Sequence, residues 1–519
     1  MIFKNNYPDV TIPEVSLPEF VLQRAKELAD KPALIDGPSG RTLTYGQLAG
    51  AVSRAAAGLA QRGFKKGDAF AIYSPNVPEY AIAFMGVASL GGINTTINPL
   101  YTAGELANQL NDSGARFLLT IPQFMDKALE AAKESKVEEI FVFGEAEGAT
   151  PFAALLQSDS LPPQVQINPK EDLVALPYSS GTTGLPKGVM LTHYNLVANI
   201  CQVRDIETFT EQDTLIGILP FFHIYAMTVI MGLGLHKGAT IVTMPRFDLE
   251  QFLQIMQDYH VTRAYLVPPI VLALAKHPLV DKYDLSSLNL IMSGAAPLSG
   301  DVARACAERL SCLIKQGYGL TETSPVTHLN PDDPAQIKQG SIGPCVSNTE
   351  CKVVDYTTDA ELGSNEQGEL WLRGPQVMQG YLNHPQATAA AINAEGWFRS
   401  GDIGYADEDG YFYIVDRLKE LIKYKGLQVA PAELEAILLT HPAVADAAVI
   451  PSPDEEAGEV PKAFVVLRGE ATPAELMAFV AEKVAPHKKI RRLEVIDQIP
   501  KSASGKILRR VLVERERST

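Results

Sequence analysis

The sequence has few cysteines, and none of them has the spacing that metal or redox chemistry requires. Its 519 residues contain five scattered cysteines, with no C-x-x-C pair and no zinc-ligand spacing. A tetrahedral zinc site and a disulfide framework are therefore excluded. An odd, scattered set of thiols is typical of a reducing compartment, so we expect a cytoplasmic protein. The cysteines are Cys201, Cys306, Cys312, Cys345 and Cys351.

Long hydrophobic runs and an excess of positive charge are also missing. The longest apolar runs, such as residues 226–235, are too short to span a bilayer. The first residues lack the hydrophobic segment of a signal peptide, and the last three are not a peroxisomal signal. The formal net charge of −16 argues against a nucleic-acid partner. We therefore expect no membrane span and no nucleic-acid binding.

The order of the segments predicts an α/β protein with more than one domain. A chain of this length needs more than one hydrophobic core. Strand-like and helix-like segments alternate along the first half, and Thr102 with Glu105 has the spacing of a capping box. Such alternation predicts large doubly wound sheets. The glycine- and proline-rich stretch 363–380 predicts a small β-barrel layer, and the chain beyond residue 426 reads as a compact α+β module.

A basic strip marks the predicted boundary between the domains. Residues 416–426 carry three lysines and one arginine after a strand-like run. We predict a large N-terminal domain over residues 1–415, a hinge at 416–420 and a small mobile C-terminal domain over 421–519.

The most informative stretch is Tyr-Ser-Ser-Gly-Thr-Thr-Gly-Leu-Pro-Lys-Gly-Val at residues 178–189. Its glycines let the backbone approach an anion, its hydroxyl side chains add donors, and Lys187 adds a positive charge. The apolar segment 173–176 runs directly into it, as a strand that feeds a loop. The spacing does not match a Walker A loop, because Pro186 replaces the second glycine and Gly188 replaces the hydroxyl residue. The stretch still predicts a phosphate-binding loop.

Three further segments have the composition of a ligand site. His223 lies among aromatic residues, where a core histidine and a pocket wall are both reasonable interpretations. The small-residue turn 293–297 leaves room for a flat ligand against the backbone. In residues 316–323, two glycines flank Tyr318, and Thr321 and Glu322 supply a hydroxyl and a carboxylate that suit magnesium-bound phosphates. A solvated glutamate near a turn is the plainer interpretation of Glu322.

Taken in this order, these segments resemble the adenylate-forming superfamily, which comprises acyl-CoA synthetases, peptide-synthetase adenylation domains and beetle luciferases. The likeness extends along essentially the whole chain. Within that superfamily the chain is most similar to 4-coumarate:CoA ligases and their fatty-acyl and luciferase-like relatives. The segments that carry this closer likeness are residues 222–225, 267–273, 282–286, 293–298 and 421–431.

The resemblance implies a role for each matching residue. For ATP phosphates and magnesium it implies Ser179, Ser180, Gly181, Thr182, Thr183, Gly184, Lys187, Thr321 and Glu322, with Thr183 and Glu322 nearest the metal. For adenine and ribose it implies Ala295, Ala296, Gln316, Gly317, Tyr318, Gly319, Asp402 and Arg417. For the acid it implies His223, Tyr225, Gly294, Pro325 and Val326. For the mobile domain it implies Lys419 at the hinge, Lys506 in adenylation, and Lys423, Gly426 and Gln428 in the second half-reaction.

The implied reaction joins a carboxylic acid to coenzyme A at the expense of ATP, with magnesium, in a monomer or homodimer. A flat acid of the 4-hydroxycinnamate type is the expected substrate, because the hydroxyl of Tyr225 would bond a substrate phenol. Thr327 departs from the apolar residue expected beside the pocket floor. A fatty-acyl-CoA synthetase, a luciferase-like oxidase, a stand-alone adenylating enzyme and a non-catalytic nucleotide sensor are the alternatives. AMP formation with and without CoA separates a luciferase-like oxidase from a CoA ligase, a screen of cinnamic, benzoic and fatty acids identifies the acid, and pyrophosphate release eliminates the nucleotide sensor.

Overall fold

The structure is a computed structural model that describes residues 1–4, 8–179, 186–425, 427–502 and 505–518, without the side chains of 517 and 518. Two large sheets and one smaller sheet form the N-terminal part, and a separate sheet forms a smaller C-terminal domain. The α/β fold class predicted from the sequence is confirmed. In the described part of the chain, no helix is long and apolar enough to cross a membrane.

The strands up to the predicted hinge are β1 (Ile2–Lys4), β2 (Pro32–Asp36), β3 (Thr42–Thr44), β4 (Ala69–Ile72), β5 (Ile93–Thr96), β6 (Ala115–Thr120), β7 (Glu139–Val142), β8 (Thr150–Pro151), β9 (Leu173–Ala175), β10 (Tyr178–Ser179), β11 (Lys187–Thr192), β12 (Thr214–Gly217), β13 (Thr240–Thr243), β14 (Arg263–Leu266), β15 (Leu290–Ser293), β16 (Leu313–Gly319), β17 (Val326–Leu329), β18 (Glu350–Val354), β19 (Gly368–Arg373), β20 (Gly380–Tyr381), β21 (Phe398–Ala406) and β22 (Phe412–Arg417).

The helices of the same part are α1 (Leu17–Val21), α2 (Tyr45–Gln61), α3 (Pro78–Ser89), α4 (Ala103–Ser113), α5 (Met125–Lys133), α6 (His193–Arg204), α7 (Leu233–Lys237), α8 (Leu249–Asp258), α9 (Pro268–Lys276), α10 (Gly300–Leu310) and α11 (Pro385–Ala391). A π-helical segment, Ala226–Gly232, leads into α7. The C-terminal domain contains β23 (Ile422–Tyr424), β24 (Leu427–Val429), α12 (Pro431–Thr440), β25 (Val444–Asp454), β26 (Gly458–Leu467), α13 (Pro473–Ala481), β27 (Arg492–Val495) and α14 (Arg509–Ser518).

The two large sheets are mainly parallel. One has the order β10-β11-β9-β5-β4-β6-β7-β8, with β20 paired to β11; the other has the order β17-β16-β15-β14-β12-β13-β2-β3. The capping box at Thr102 is present, and α4 ends at Gly114, whose φ of 63° is the left-handed conformation that glycine adopts without strain. Helices between parallel strands bury the faces of both sheets, as the alternation in the sequence predicts.

The predicted barrel layer is an antiparallel sheet of order β1-β18-β19-β21-β22. Its two end strands are not paired with each other in the described residues. Strand β22 brings Arg417 opposite Asp402 of β21. After β22 a short turn leads to β23 of the C-terminal sheet, and the hinge at 416–420 stays a prediction. All five cysteines are buried and free, as structural thiols are.

Candidate active site

The predicted phosphate loop connects two antiparallel strands. Tyr178 pairs with Gly188 and Ser179 with Lys187, and the far side of β11 pairs with β20. This hairpin explains why the Walker A spacing fails, because that motif joins a strand to a helix. Of the predicted loop residues, Ser180, Gly181, Thr182, Thr183 and Gly184 lie outside the described residues.

Lys187 and Glu322 face the same tyrosine. The Lys187 ammonium lies 5.3 Å from the centre of the Tyr381 ring, and the Tyr381 hydroxyl donates to Glu322 Oε1 at 2.9 Å. Glu322 is buried in a 3-10 turn, Thr321–Thr323. A cation and a buried carboxylate are thus brought together at the base of the hairpin, as expected for a site that binds phosphates and a divalent cation.

The residues predicted to enclose a nucleotide base lie at the carboxyl ends of β15 and β16. These neighbouring parallel strands align Ser293 with Gln316, and Gln316 Oε1 accepts the backbone N–H of Leu298 at 3.1 Å. That bond holds the small-residue turn against β16. In this turn Ala295 is exposed and has a φ of 68°. The carboxyl edge of a parallel sheet is where ligands bind in open α/β folds.

Tyr318 reaches from β16 to the antiparallel sheet. Its hydroxyl donates to Asp402 Oδ2 at 2.5 Å, and Arg417 Nε lies 3.2 Å from Asp402 Oδ1. Burial and the neighbouring carboxylate raise the pKa of Tyr318 well above its usual range. The predicted base-binding and ribose-binding residues therefore form one hydrogen-bonded group. The adjoining Gly317 is buried and Gly319 is exposed.

Lys506 belongs to the C-terminal domain, yet it lies in the cleft against the N-terminal domain. A Cβ atom on the preceding Gly505 would lie 3.1 Å from Val267 of the large domain. Burial and the positive charge of Arg417 lower the pKa of Lys506 to about 8, while Glu420 and Asp402 oppose this shift. The adenylation lysine of the sequence prediction is therefore beside the predicted ribose-binding group.

His223 is partly buried and faces the same cleft. Its Nδ1 accepts the backbone N–H of Tyr225 at 3.3 Å. Burial, and then the charge of Lys506, lower the pKa of His223 to about 4. The imidazole is thus neutral at pH 7 and carries its proton on Nε2, so it can donate one hydrogen bond but cannot supply a positive charge.

One predicted contact is corrected by the structure. The Tyr225 hydroxyl is buried and donates to the Met292 carbonyl at 3.2 Å, with Met292 Sδ at 2.7 Å. The hydroxyl is therefore not presented to a substrate phenol. The ring of Tyr225 packs over Gly294, where a Cβ would lie 3.1 Å from it. The aromatic segment supplies an apolar wall rather than a polar partner.

The predicted floor residues are held by their backbones. Pro325 and Val326 are both buried. The Val326 N–H donates to Asn199 Oδ1 at 3.0 Å, and the Asn199 amide donates back to the Val326 carbonyl at 2.7 Å. This two-way bond joins β17 to α6.

Among the residues predicted for the second half-reaction, Lys423 and Gln428 are exposed. Lys423 is exposed on β23, and Lys419 is exposed in the turn before it. The Tyr356 hydroxyl donates to Gln428 Oε1 at 2.9 Å on the surface. Gly426 lies outside the described residues. Lys506 and Lys423 therefore differ sharply in their surroundings.

A buried ionic cluster, which the sequence analysis missed, lies behind the pocket wall. Lys315, fully buried, lies 3.0 Å from Glu207 and 2.6 Å from Asp332; Arg263 lies 2.9 Å and 2.5 Å from the same carboxylates. The Tyr265 hydroxyl donates to Glu207 at 3.0 Å, and its ring packs edge-on against Tyr225. Only pairing makes such burial tolerable. No local pattern joins residues so far apart in the chain.

Comparisons with known proteins show which family the chain belongs to. Residues 21–382 match the AMP-binding enzyme family, and residues 433–506 match its C-terminal domain. A 4-coumarate–CoA ligase of Petroselinum crispum is 45% identical over 524 residues, covering 99% of this chain and 96% of that protein. A 4-coumarate–CoA ligase of Pinus taeda is 44% identical, with 99% and 97% covered. The structure of the anthranilate CoA ligase AuaEII with anthranoyl-AMP is 27% identical, has a TM-score of 0.89, and is matched over 98% of both chains.

The chain belongs to the AMP-binding enzyme family, the adenylate-forming superfamily whose motifs it carries. Within that family it is an AMP-forming acid–thiol ligase similar to the 4-coumarate–CoA ligases. Use of ATP and CoA follows from membership of this class.

Proposed function

We propose that this enzyme converts an acid of the 4-hydroxycinnamate type to its CoA thioester in two steps at one site. The observation that carries the proposal is the packing of Gly505 against Val267 of the large domain, which holds Lys506 where its charge acts on His223 and where Arg417 and Asp402 act on Lys506. The identity of the acid is supported by two 4-coumarate–CoA ligases that match nearly the whole chain.

The proposed nucleotide site combines the carboxyl ends of β15 and β16 with the hairpin β10–β11. Tyr318 and the turn 294–298 would enclose the adenine, and Asp402 with Arg417 would bind the ribose. Lys187 would hold the outer phosphates. Asp402 already accepts a hydrogen bond from Tyr318 and forms an ion pair with Arg417, so it is oriented before the nucleotide arrives and retains acceptor capacity for ribose hydroxyls.

Glu322 suits a magnesium ion that also binds phosphate oxygens. No group of three or more His, Cys, Asp or Glu side chains in the described ranges forms a metal cage. Magnesium in phosphoryl-transfer sites is commonly held by one or two carboxylates together with substrate phosphates, so Glu322 alone, with Thr183 from the loop, fits this mode. The ion would neutralise charge that develops on the phosphates.

In the first step, a carboxylate oxygen of the acid forms a bond to the α-phosphorus of ATP. The bond from that phosphorus to the bridging oxygen breaks, and pyrophosphate leaves. Two anions must approach each other, so a cation between them lowers the barrier. The ammonium of Lys506 can bridge the carboxylate and the α-phosphate, while the neutral His223 donates its Nε2 proton toward the acid.

In the second step, the CoA thiolate attacks the acyl carbon and the bond to AMP breaks. The thiol needs the space that Lys506 fills in this conformation. A rotation of the small domain about residues 416–420 would withdraw Lys506 and bring Lys423, Gly426 and Gln428 to the site. Lys419, exposed in that turn, is free to move with it. We infer that the two lysines serve successive steps.

We further propose a cytoplasmic enzyme that is a monomer or a homodimer. Five free, buried thiols are consistent with a reducing compartment. Light scattering on the purified protein gives the oligomeric state directly.

A screen of carboxylic acids tests the substrate assignment. We expect 4-coumarate to give a higher kcat/KM than hexanoate or octanoate, because the wall formed by Tyr225 and Gly294 is apolar and flat. The Tyr225 hydroxyl already donates to the Met292 carbonyl, so a substrate without its own hydroxyl should lose less than about tenfold in kcat/KM. A larger loss is expected only where a buried polar group of the site is left without its hydrogen-bond partner. AMP formation is measured with and without CoA.

The screen also separates the alternatives. A higher kcat/KM for octanoate than for 4-coumarate would assign the enzyme to fatty-acyl substrates. AMP formation at the same rate without CoA would favour a luciferase-like or stand-alone adenylating enzyme.

Replacement of Lys187 tests the phosphate loop. We expect Lys187→Ala to raise KM for ATP and to slow pyrophosphate release, because a charge that follows the leaving group is lost. One such contact is worth on the order of 2–4 kcal/mol in a desolvated site. Pyrophosphate release against ATP concentration measures both effects, and an unchanged rate would make this loop purely structural.

A further inference from the structure

Asp112 joins the two segments that border the phosphate loop. It lies in the last turn of α4, outside the motif segments singled out from the sequence. Its Oδ2 accepts the hydroxyl of Tyr178 at 2.7 Å. The side-chain amide of Asn383 donates to Asp112 Oδ1 at 3.1 Å and to the Asp112 carbonyl at 3.2 Å. One residue therefore binds the strand that enters the loop and the segment that follows β20.

Both of these segments contact Gly188, which directly follows Lys187 at the end of the phosphate loop. The ring of Tyr178 covers Gly188, where a Cβ would lie 3.1 Å from Tyr178 Cζ. On the other side, the Leu382 N–H donates to the Gly188 carbonyl at 2.8 Å. Lys187, which precedes Gly188, thus lies between two chain segments whose outer ends meet at Asp112.

Strand β20 also contacts Glu322, the carboxylate proposed to bind magnesium. Tyr381 contacts the Lys187 ammonium through its ring and Glu322 through its hydroxyl. Asn383 is two residues further along. A shift of this segment would therefore move the surroundings of Lys187 and Glu322 together.

We propose that Asp112 is a positioning residue for ATP binding, which fixes the hairpin β10–β11 against β20 so that Lys187 and Glu322 meet the phosphates. The inference rests on the proposed role of the loop in binding ATP. Asp112 is not a catalytic residue, since it reaches the site only through Tyr178 and Asn383. Burial, together with the hydrogen bond to Asp112, raises the pKa of Tyr178, so its hydroxyl remains a donor at neutral pH.

The test separates the two half-reactions in Asp112→Ala. We expect KM for ATP to rise about five- to tenfold. This is less than the factor of about ten or more that a direct hydrogen bond to a charged group is worth, because Asp112 acts on ATP only through Tyr178 and Asn383. The kcat at saturating ATP should fall less than KM rises. Conversion of synthetic acyl-AMP and CoA to thioester should be unchanged, because that step uses no phosphate loop. A general loss of structure would slow both halves.

Three further variants make the test specific. Asp126→Ala removes an exposed carboxylate from the neighbouring helix α5 and should change neither half-reaction. Asp112→Asn keeps a carbonyl that can accept from Tyr178, and should recover part of the ATP affinity. Tyr178→Phe should raise KM for ATP by itself, but should add little in the Asp112→Ala background because both changes remove the same bond.

The outcomes distinguish this proposal from the proposed function. If Lys187→Ala raises KM for ATP and Asp112→Ala does not, the role of Asp112 is wrong and the loop assignment stands. If neither variant changes KM for ATP, the loop assignment itself fails. Equal slowing of both half-reactions, or fully additive effects of the Asp112 and Tyr178 changes, would also overturn the proposal. Should Asp112→Ala not fold, Asp112→Asn and Tyr178→Phe give the same readout.

Discussion

Lys506→Ala is expected to abolish acyl-AMP formation while the conversion of synthetic acyl-AMP to thioester continues. In this structure Lys506 is drawn into the cleft, and burial together with Arg417 lowers its pKa to about 8. A buried lysine ammonium near an arginine is stabilised when an anion binds beside it. The carboxylate of the acid and the phosphates of ATP are such anions. Removing one preorganised electrostatic contact typically costs roughly 10²- to 10³-fold in rate. Pyrophosphate release measures the first step, and thioester formation from added acyl-AMP measures the second.

The control for this variant is another lysine of the same domain. Lys483 is exposed near the end of α13 and should be replaceable by alanine with a stability change within about 0.5 kcal/mol. If Lys506→Ala and Lys483→Ala release pyrophosphate at equal rates, Lys506 is an ordinary surface charge.

Lys423→Ala is expected to have the opposite effect. Lys423 is exposed on β23 in the conformation that places Lys506 in the cleft, so it has no part in the first step here. If the small domain rotates for thioester formation, this lysine reaches the site only then. The variant should form one equivalent of acyl-AMP in a burst and then stall, with the second step slowed by a factor similar to that for Lys506. A quenched-flow measurement of AMP and thioester resolves the burst from the steady state.

A Lys423→Ala enzyme that turns over normally would contradict this expectation. So would one that fails to form acyl-AMP, because the defect would then lie in the first step.

Much of the fold follows from local patterns in the sequence. Thr102 and Glu105 form the predicted capping box, and Gly114 ends the helix in the left-handed conformation that its lack of a side chain permits. The helix Pro78–Ser89 begins with proline at its first position, where the fixed φ of proline suits a helix. Local chemistry within a few residues determines these features, so a single sequence is enough to predict them.

The site was predicted less completely than the fold, because it depends on the directions of side chains and on contacts between residues that are far apart in the chain. Tyr225 and Gly294 were both assigned to the acid pocket, but the direction of the Tyr225 hydroxyl, toward the Met292 carbonyl, depends on the position of β15. Asp112 lies 66 residues from Tyr178 and 271 residues from Asn383, and no motif joins them. Lys506 was identified through its motif, whereas its contact with the large domain depends on how the two domains meet. Such features need the folded chain.

The central claim is that one site is used twice, by two lysines in turn. The most direct measurement is the rate of each half-reaction in Lys506→Ala and in Lys423→Ala, with 4-coumarate, ATP and CoA. The account predicts a double dissociation: Lys506→Ala loses adenylation and keeps thioester formation, and Lys423→Ala keeps adenylation and loses thioester formation. Equal slowing of both half-reactions in both variants would contradict it.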